Sequence, residues 1–211
     1  MTETEYRIPA ERYRTEQVID RSRFIATVAP ADSPEAARGF IDDVREEFPD
    51  ATHNCWAFVA GPPGSTRAIG MSDDGEPHGT AGRPMLDVLL HSGLGEVAAV
   101  VTRYYGGVKL GKGGLVRAYG GAVQHALEMV PTVLLTPTSH VEIVVAYSDV
   151  DMLRRLVAEH GGAVAGEDYG AEVTWRVGVP TAALERFRRL LADRTAGRAR
   201  LRADDDEEST G

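Results

Sequence analysis

Val101-Thr-Arg-Tyr-Tyr-Gly-Gly-Val-Lys-Leu-Gly-Lys-Gly-Gly-Leu-Val-Arg-Ala-Tyr119 is the stretch of this sequence that decides the fold. The residues from Glu96 to Tyr104 include the run Val-Ala-Ala-Val-Val, which is typical of a buried β-strand. From about Gly114 to Met129, apolar residues recur on one face, which predicts a helix. The stretch therefore predicts a strand, a glycine-rich loop and a helix that packs on the sheet containing that strand.

Positive charge is concentrated in residues 103–119, which we call the basic segment. Both lysines of the chain, Lys109 and Lys112, lie in it, and every other basic residue among the 23 is an arginine. No Asp or Glu occurs between Val97 and Leu127, although the chain has a net charge of −9. The free N–H groups at the start of the predicted helix also favour anions. The segment therefore predicts an anion-binding site.

Tyrosines and glycines accompany these cations. Aromatic rings beside cations suit unpaired bases, because stacking contributes about 1–3 kcal/mol per base, and glycines let a phosphate approach the backbone. The predicted anion- or nucleic-acid-binding residues are Arg103, Tyr104, Tyr105, Gly107, Lys109, Lys112, Gly113, Gly114, Arg117 and Tyr119. The alternative is structural: strand alternation buries one of the adjacent tyrosines, and the glycines allow close packing of helix on sheet.

Part of the basic segment is similar to a phosphate-binding P-loop. Gly106-Gly-Val-Lys-Leu-Gly-Lys112 matches the first seven positions of that motif, and it lies between a strand and a helix. Gly113, however, stands where the motif needs Ser or Thr to hold Mg²⁺. The sequence therefore does not favour a P-loop nucleoside triphosphatase, and we predict neither a metal nor a cofactor.

A second glycine-rich loop, residues 72–82, carries acidic residues and is called the acidic loop. Its possible contributors to the site are Asp73, Asp74, Glu76, His78 and Thr80, with Arg83 and His53 nearby. The carboxylates could cap the local backbone, pair with cations of the basic segment, or hold a metal. Thr80 and Arg83, near the N-terminus of the following helix, could supply further anion contacts. Their spacing matches no standard zinc or EF-hand pattern, so we rank capping and ion pairing first.

The single cysteine, Cys55, lies in the predicted strand from His53 to Ala60. On a strand, His53 and Cys55 share one face and Trp56 points to the other. A Cys–His nucleophile pair is chemically conceivable, but a lone cysteine in an apolar strand is usually a small core residue. We therefore predict no catalytic residue here.

Composition limits the class of protein. The 211 residues are 43% hydrophobic, which is enough for an ordinary core, and no apolar run reaches the roughly 18 residues of a membrane span. A single cysteine and an N-terminus without a signal-peptide pattern predict a cytoplasmic protein with no membrane partner. The acid excess fits either a salty cytoplasm or an arginine-rich codon bias, and the sequence leaves that choice open.

The last third of the chain predicts a second domain. Pro131 and Pro137 flank the most plausible boundary. Strand and helix signals then follow the order βαββαβ, with Ser148 and Thr181 as helix caps, which is the ferredoxin-like plan. We predict an α+β chain with domains at residues 1–135 and 138–202, and a disordered acidic tail at residues 203–211.

Four blocks of the sequence carry a resemblance to a known family. They are Ile19-Asp-Arg-Ser-Arg-Phe-Ile-Ala26, His53-Asn-Cys-Trp-Ala-Phe58, Ser72-Asp-Asp-Gly-Glu-Pro-His-Gly-Thr-Ala-Gly-Arg-Pro84 and the stretch quoted first. With these blocks the chain resembles the YigZ/Impact family, closely over residues 15 to 130 and elsewhere by topology. The resemblance implies an N-terminal two-layer α/β domain like the second domain of ribosomal protein S5. It implies a C-terminal domain like the fifth domain of elongation factor G.

The resemblance also implies a function, because eukaryotic relatives regulate translation. Our leading hypothesis is a non-enzymatic protein that binds RNA or the ribosome through the basic segment and modulates translation. The alternative is an enzyme for a small phosphorylated metabolite or nucleotide, with Asp74 or His78 as acid–base groups in a cleft between the two loops. A third hypothesis is that the C-terminal domain docks a protein partner, which an exposed apolar sheet face there would support.

Overall fold

Alternating apolar residues build a five-stranded antiparallel sheet in the first domain. The computed structural model describes residues 5–203, and Tyr6–Leu135 forms one compact unit. Its elements are β1 (Tyr6–Pro9), β2 (Tyr13–Ile19), β3 (Ser22–Pro30), α1 (Pro34–Glu47), β4 (His53–Val59), β5 (Ile69–Ser72), α2 (Gly82–His91), β6 (Val97–Tyr104), α3 (Gly111–Met129) and β7 (Thr132–Leu135). The strand order is β2-β3-β6-β4-β5, so the strand predicted to be buried is central.

Helices cover both faces of this sheet. Val97, Ala99 and Val101 of β6 contribute to the core under α2 and α3, whereas Ala98 and Val100 contribute to a separate core under α1. A central strand that is covered on both faces is apolar throughout, which explains its uninterrupted hydrophobic run. The α+β class with two domains is confirmed, and α1 adds a layer to the two that the resemblance implies.

A second, two-stranded sheet joins β1 to β7, and the sequence did not predict β1. Tyr6 pairs with Leu135 and Pro9 with Thr132, so the partners lie at opposite ends of the domain sequence. The strand has only four residues and includes a proline. No local pattern marks so short a strand, because its stability depends on a partner that is distant along the chain.

Both helices beside the predicted site begin earlier than the sequence indicated. Helix α3 begins at Gly111 rather than Gly114, and α2 begins at Gly82 rather than Pro84. Glycine is a poor helix former, so a prediction based on helix propensity places the starts of α2 and α3 too late. Packing of the apolar helix faces on the sheet outweighs this penalty of about 1 kcal/mol per glycine.

Residues 136–203 form the second unit. Its elements are β8 (Thr138–Val145), α4 (Val150–Glu159), β9 (Ala163–Tyr169), β10 (Val173–Pro180), α5 (Leu184–Arg194) and β11 (Arg200–Ala203). They form an antiparallel sheet of order β11-β8-β10-β9, and both helices pack against a core that includes the fully buried Trp175 and Phe187. This is the βαββαβ plan predicted from the sequence.

Three sequence predictions for this region concern its helix caps, a protein partner and the acidic tail. Ser148 and Thr181 lie in short 3₁₀ turns, and neither side chain caps α4 or α5. Docking of a protein partner by this domain stays a prediction; Glu142, Thr174 and Arg176 alternate with the core residues of β8 and β10. Ala203 belongs to β11, and the rest of the predicted acidic tail lies outside the described residues.

Within residues 5–203, no helix is both long and apolar enough to cross a membrane.

Candidate functional site

The basic segment is fixed against the hairpin formed by β2 and β3. Asp20 and Arg21, both with positive φ, make the hairpin turn. The backbone of Gly106 packs so closely on this turn that a Cβ at position 106 would lie 2.0 Å from the carbonyl carbon and oxygen of Arg21. The Gly106 N–H also donates to Ser22 Oγ at 3.2 Å. Only glycine fits at this position, and the contact sets the course of the loop toward α3.

A cleft of about 440 Å³ opens between the basic segment and the acidic loop. Its lining residues are Glu76, Pro77, Arg103, Tyr105, Lys109, Leu110, Gly111, Lys112 and Leu115. The volume lies within the roughly 300–1,000 Å³ that small-molecule sites occupy. The fold therefore brings the two glycine-rich loops together around one concave space.

A buried ion pair lies at the base of this cleft. Arg103 Nη1 donates to Glu76 Oε1 at 2.6 Å, and the Tyr119 hydroxyl donates to the same oxygen at 2.7 Å. Arg103 Nη2 donates to Ser22 Oγ at 3.2 Å. The Glu76 and Arg103 side chains are only 3% and 6% exposed. Pairing between the acidic loop and the basic segment, one of the interpretations of the sequence, is thus confirmed for these two residues.

This ion pair changes the roles expected of Arg103 and Tyr119. The Arg103 charge is balanced by Glu76, so it is not a free cation of the segment. Tyr119 is fully buried, with its ring edge-on to Phe24 at a centroid distance of 5.4 Å. The prediction that Tyr119 stacks on a base is therefore wrong for this structure, because the residue lies on the face of α3 that packs on the sheet. Its hydroxyl instead holds Glu76.

Of the two tyrosines that end β6, only Tyr105 lines the cleft. Its side chain is 46% exposed, and its ring centroid lies 5.5 Å from the Arg103 guanidinium carbon. Tyr104 turns away and donates its hydroxyl to Asp50 at 2.8 Å, a hydrogen bond that raises the pKa of the tyrosine. The structure therefore provides one aromatic face beside the cations, at Tyr105.

Three cations of the basic segment have no ion-pair partner among residues 5–203. Lys109, Lys112 and Arg117 are all exposed, and the two lysines line the cleft. Arg117 Nη1 lies 3.6 Å from the position that a Cβ on Gly113 would take, so its guanidinium lies over the first turn of α3. Among these residues no side chain caps α3. The free positive charge of the segment is therefore concentrated at the N-terminus of this helix.

In the acidic loop, Asp73 serves as the cap of α2. Its carboxylate accepts hydrogen bonds from the N–H groups of Gly79, Ala81 and Gly82, at 2.8, 3.0 and 2.9 Å respectively. Burial alone would raise the pKa of Asp73, but these backbone bonds outweigh it and lower the pKa. Capping of the local backbone, another interpretation of the sequence, is confirmed for this residue.

Replacing Asp73 with alanine should lower the free energy of unfolding by about 2–3 kcal/mol, since three N–H groups lose a charged acceptor. Because the folded-state pKa is lowered, this stabilisation is present above the unfolded-state value of about 3.9 and disappears as the pH falls through the folded-state value. Urea denaturation at several pH values measures both effects. Asp43→Ala, at an exposed carboxylate on α1, is the control and should change stability by less than about 0.5 kcal/mol. Equal losses in the two variants at neutral pH would contradict the capping role.

Asp74 and His53 support the acidic loop rather than the cleft. Asp74 accepts from Arg45 Nη2 at 3.1 Å and from the Asn54 N–H at 2.6 Å. His53 Nδ1 lies 2.7 Å from the Asp74 carbonyl oxygen, so this nitrogen carries the proton and donates it. His53 Nε2 then faces Glu76 Oε1 at 3.9 Å. These contacts tie β4 to the acidic loop, and they leave Asp74 outside the cleft lining.

The other predicted contributors of the acidic loop also lie outside the lining. The His78 side chain is fully exposed, with Nδ1 3.7 Å from Asp73 Oδ2. Thr80 is buried and donates to the Pro77 carbonyl at 2.6 Å. Arg83 pairs with Asp87 one turn along α2 at 2.9 Å. The structure therefore brings only Glu76 of the predicted acidic-loop residues into the cleft.

Cys55 is a core residue, as the sequence indicated. Its side chain is fully buried, and Sγ donates to the Asp73 carbonyl at 2.9 Å. Burial raises the pKa of the thiol to about 12. Because only the thiolate is nucleophilic, this cysteine is inert at neutral pH.

Sequence reasoning missed several residues that shape the cleft, namely Ser22, Pro77 and Leu110. All three lie inside blocks that carry the family resemblance, which is the one signal that could have marked them. Pro77 and Leu110 are apolar and have no chemistry that singles them out. They matter through their positions around the cleft, and those positions depend on the packing of α3.

Comparison with known proteins gives the chain a family. A family model described as the Impact N-terminal domain matches residues 20–127, the part of the chain that carries both loops and the cleft. The chain belongs to the IMPACT family. A second model, a domain of unknown function (DUF1949), matches residues 143–198. The IMPACT family is related to the regulation of translation.

The family resemblance extends to both domains. The chain is 45% identical to the IMPACT family member YigZ of Escherichia coli over 196 residues, which cover 93% of this chain and 96% of that relative. It is 38% identical to an IMPACT family member of Haemophilus influenzae over 92% of this chain and 94% of that one. The crystal structure of a hypothetical protein is similar at 43% identity with a TM-score of 0.72, covering 97% of this chain and 100% of that one.

Proposed function

We propose that this IMPACT family member binds RNA, free or in the ribosome, and thereby modulates translation. The observation that carries the proposal is the cleft between the two loops, with the unpaired cations Lys109, Lys112 and Arg117 at the start of α3 beside it. Cations without partners on a protein of net charge −9 are suited to bind phosphate. The protein would act as a binding module, not as an enzyme.

The arrangement fits a single-stranded nucleic acid with one nucleotide in the cleft. Phosphates would lie at the two lysines and Arg117, where the N-terminus of α3 adds its positive dipole. Tyr105 offers an exposed ring on which a base can stack, and such stacking contributes about 1–3 kcal/mol per base. A duplex would not fit a concave space of about 440 Å³, so we expect unpaired RNA to be preferred.

The concave shape favours a second candidate function, catalysis on a small phosphorylated metabolite or nucleotide. That function needs acid–base groups in the cleft, and Asp74 and His78 were the predicted ones. Both lie outside the lining, and Glu76, the carboxylate that lines it, is held by Arg103 and Tyr119. The cleft thus has the shape of a ligand site but lacks the predicted acid–base groups. The lack of these groups favours a binding function over catalysis.

Simultaneous replacement of Lys109, Lys112 and Arg117 by alanine should weaken binding of a fluorescein-labelled single-stranded RNA dodecamer about 100-fold, at about 1 kcal/mol per lost phosphate contact. The slope of log affinity against log salt should fall by about 2, because about 0.7 counterions are released per single-strand phosphate contact. Fluorescence anisotropy over a range of salt concentrations measures both quantities. The same variant should co-sediment less with ribosomes.

The control for this experiment removes three other exposed arginines, Arg38, Arg67 and Arg155, which have no ion-pair partner among the described residues. This variant has the same net charge as the first. If binding depends only on net charge, both variants lose affinity equally and the proposed site is wrong. Unchanged RNA affinity and unchanged ribosome co-sedimentation in the first variant would overturn the proposed function itself.

A further inference from the structure

The two carboxylate oxygens of Glu76 have different surroundings. Oε1 accepts both the Arg103 and Tyr119 hydrogen bonds and is the oxygen nearest to His53. No group among residues 5–203 donates a hydrogen bond to Oε2. The Glu76 side chain is only 3% exposed. A buried carboxylate oxygen without a donor is unusual, because such groups are nearly always satisfied by protein, water or ligand.

The unpartnered oxygen is open to the cleft. Glu76 Oε2 is not fully enclosed by protein. Within residues 5–203, the side-chain atoms that are fully enclosed and lack a hydrogen-bond partner are Trp56 Nε1, Arg103 Nε and Trp175 Nε1. Oε2 therefore keeps some exposure, and the cleft is the open space that Glu76 lines. The base of the cleft thus presents one hydrogen-bond acceptor, held in place by the bonds to Oε1.

A carboxylate acceptor selects the part of a ligand that can reach it. Phosphate oxygens are acceptors and negatively charged, so they are repelled from Oε2 and favoured at Lys109 and Lys112 near the opening. The group that meets Oε2 must carry N–H or O–H donors. In a nucleotide bound as proposed above, that group is the base, which an unpaired strand can present by its Watson–Crick edge.

We propose that the cleft is a guanine-selective base site in which Glu76 Oε2 accepts from the N1–H and N2–H groups of the base. This inference rests on the proposed RNA-binding function and adds the identity of the bound base. Guanine is the natural base with two adjacent donors on its Watson–Crick edge. Adenine and cytosine place a ring-nitrogen acceptor beside their amino donor, and uracil flanks its single N–H with two carbonyl oxygens. These acceptors face a carboxylate unfavourably.

The test uses a set of labelled RNA heptamers, UUUNUUU, that differ only in the central base and so keep every phosphate. Fluorescence anisotropy should show about tenfold tighter binding with guanine than with adenine, cytosine or uracil, because a hydrogen bond to a charged group contributes about 1.5–3 kcal/mol. Inosine, which lacks the N2 amino group, should bind with intermediate affinity. 1-Methylguanosine, in which N1 carries a methyl group, should bind no better than uracil.

A substitution at Glu76 tests the same contact by changing the protein group instead of the base. In Glu76→Gln, the side-chain oxygen must remain where Arg103 and Tyr119 donate, so the amide NH₂ takes the place of Oε2. A donor then replaces the acceptor, and within this variant the guanine heptamer should bind no more tightly than the uridine heptamer. Glu47→Gln, on α1 at the opposite face of the sheet, removes the same charge and should keep the preference.

The outcomes separate this inference from the function on which it rests. Equal affinity for all central bases, including 1-methylguanosine, would overturn the guanine site and leave RNA binding intact. Absence of binding to every heptamer would overturn the proposed function and this inference together. If Glu76→Gln fails to fold, the series of modified bases on the unaltered protein still decides the question.

Discussion

Replacing Arg103 with methionine should lower the free energy of unfolding of the N-terminal domain by about 3–5 kcal/mol, which is the usual cost of removing one partner of a buried ion pair. Arg103 and Glu76 are both nearly inaccessible, and the pair is joined at 2.6 Å. Methionine fills much of the same volume but leaves the Glu76 charge with Tyr119 as its remaining close donor. Urea denaturation followed by tryptophan fluorescence measures the loss.

Two further variants show whether the loss comes from the buried charge. Adding Glu76→Gln to Arg103→Met removes the isolated charge, so the double variant should be more stable than Arg103→Met alone. Arg83→Met removes an exposed helical ion pair and should cost less than about 1 kcal/mol. A double variant that is no more stable than Arg103→Met would show that packing, not charge, dominates at this position.

Gly106→Ala should cost about 3 kcal/mol or more, and it should also displace the basic segment. The added methyl group would lie 2.0 Å from the Arg21 backbone and 2.5 Å from the Ser22 N–H. Both neighbours belong to a tight hairpin turn, so the clash cannot be relieved by rotation of a side chain, and overpacking of this kind destabilises strongly. Denaturation measures the stability, and RNA affinity should fall because the loop before α3 moves.

A second glycine in the same segment gives the matched control. At Gly113 a Cβ would approach only the end of the flexible Arg117 side chain, at 3.6 Å. Because alanine is a better helix former than glycine, Gly113→Ala should leave stability unchanged or raise it by up to about 1 kcal/mol. If Gly106→Ala were equally harmless, the close approach of the loop to the hairpin would not hold in solution.

The local elements of both domains could be predicted from the sequence because they depend on residues within a few positions of each other. The apolar run of β6 and the helical periodicity of α3 are examples. The sequence places the start of α3 three residues late, because its first turn is rich in glycine, which has a low helix propensity. Packing on the sheet stabilises that turn. β1 was missed because its partner, β7, is more than a hundred residues away.

The sequence predicted many of the residues of the candidate site, but it did not predict how their side chains are arranged. The loops, the lysines and Tyr105 were identified from charge and motif, and the structure brings them to one cleft. Tyr119 was placed among the stacking residues because sequence proximity suggested it. The turn of α3 points that side chain into the core instead, where its hydroxyl reaches Glu76. Pro77 and Leu110 line the cleft only because the fold places them there.

The sequence by itself determined the family, the α+β class, the order of the strands and helices other than β1, and the concentration of positive charge in one segment. These depend on residue types and short spacings, which are properties of the chain alone. Only the tertiary structure decided which charges remain free. Arg103 and Glu76 lie 27 residues apart, and they meet because β6 and the acidic loop converge at the base of the cleft. Pairing in three dimensions removes Arg103 from the set of free cations and leaves Lys109, Lys112 and Arg117.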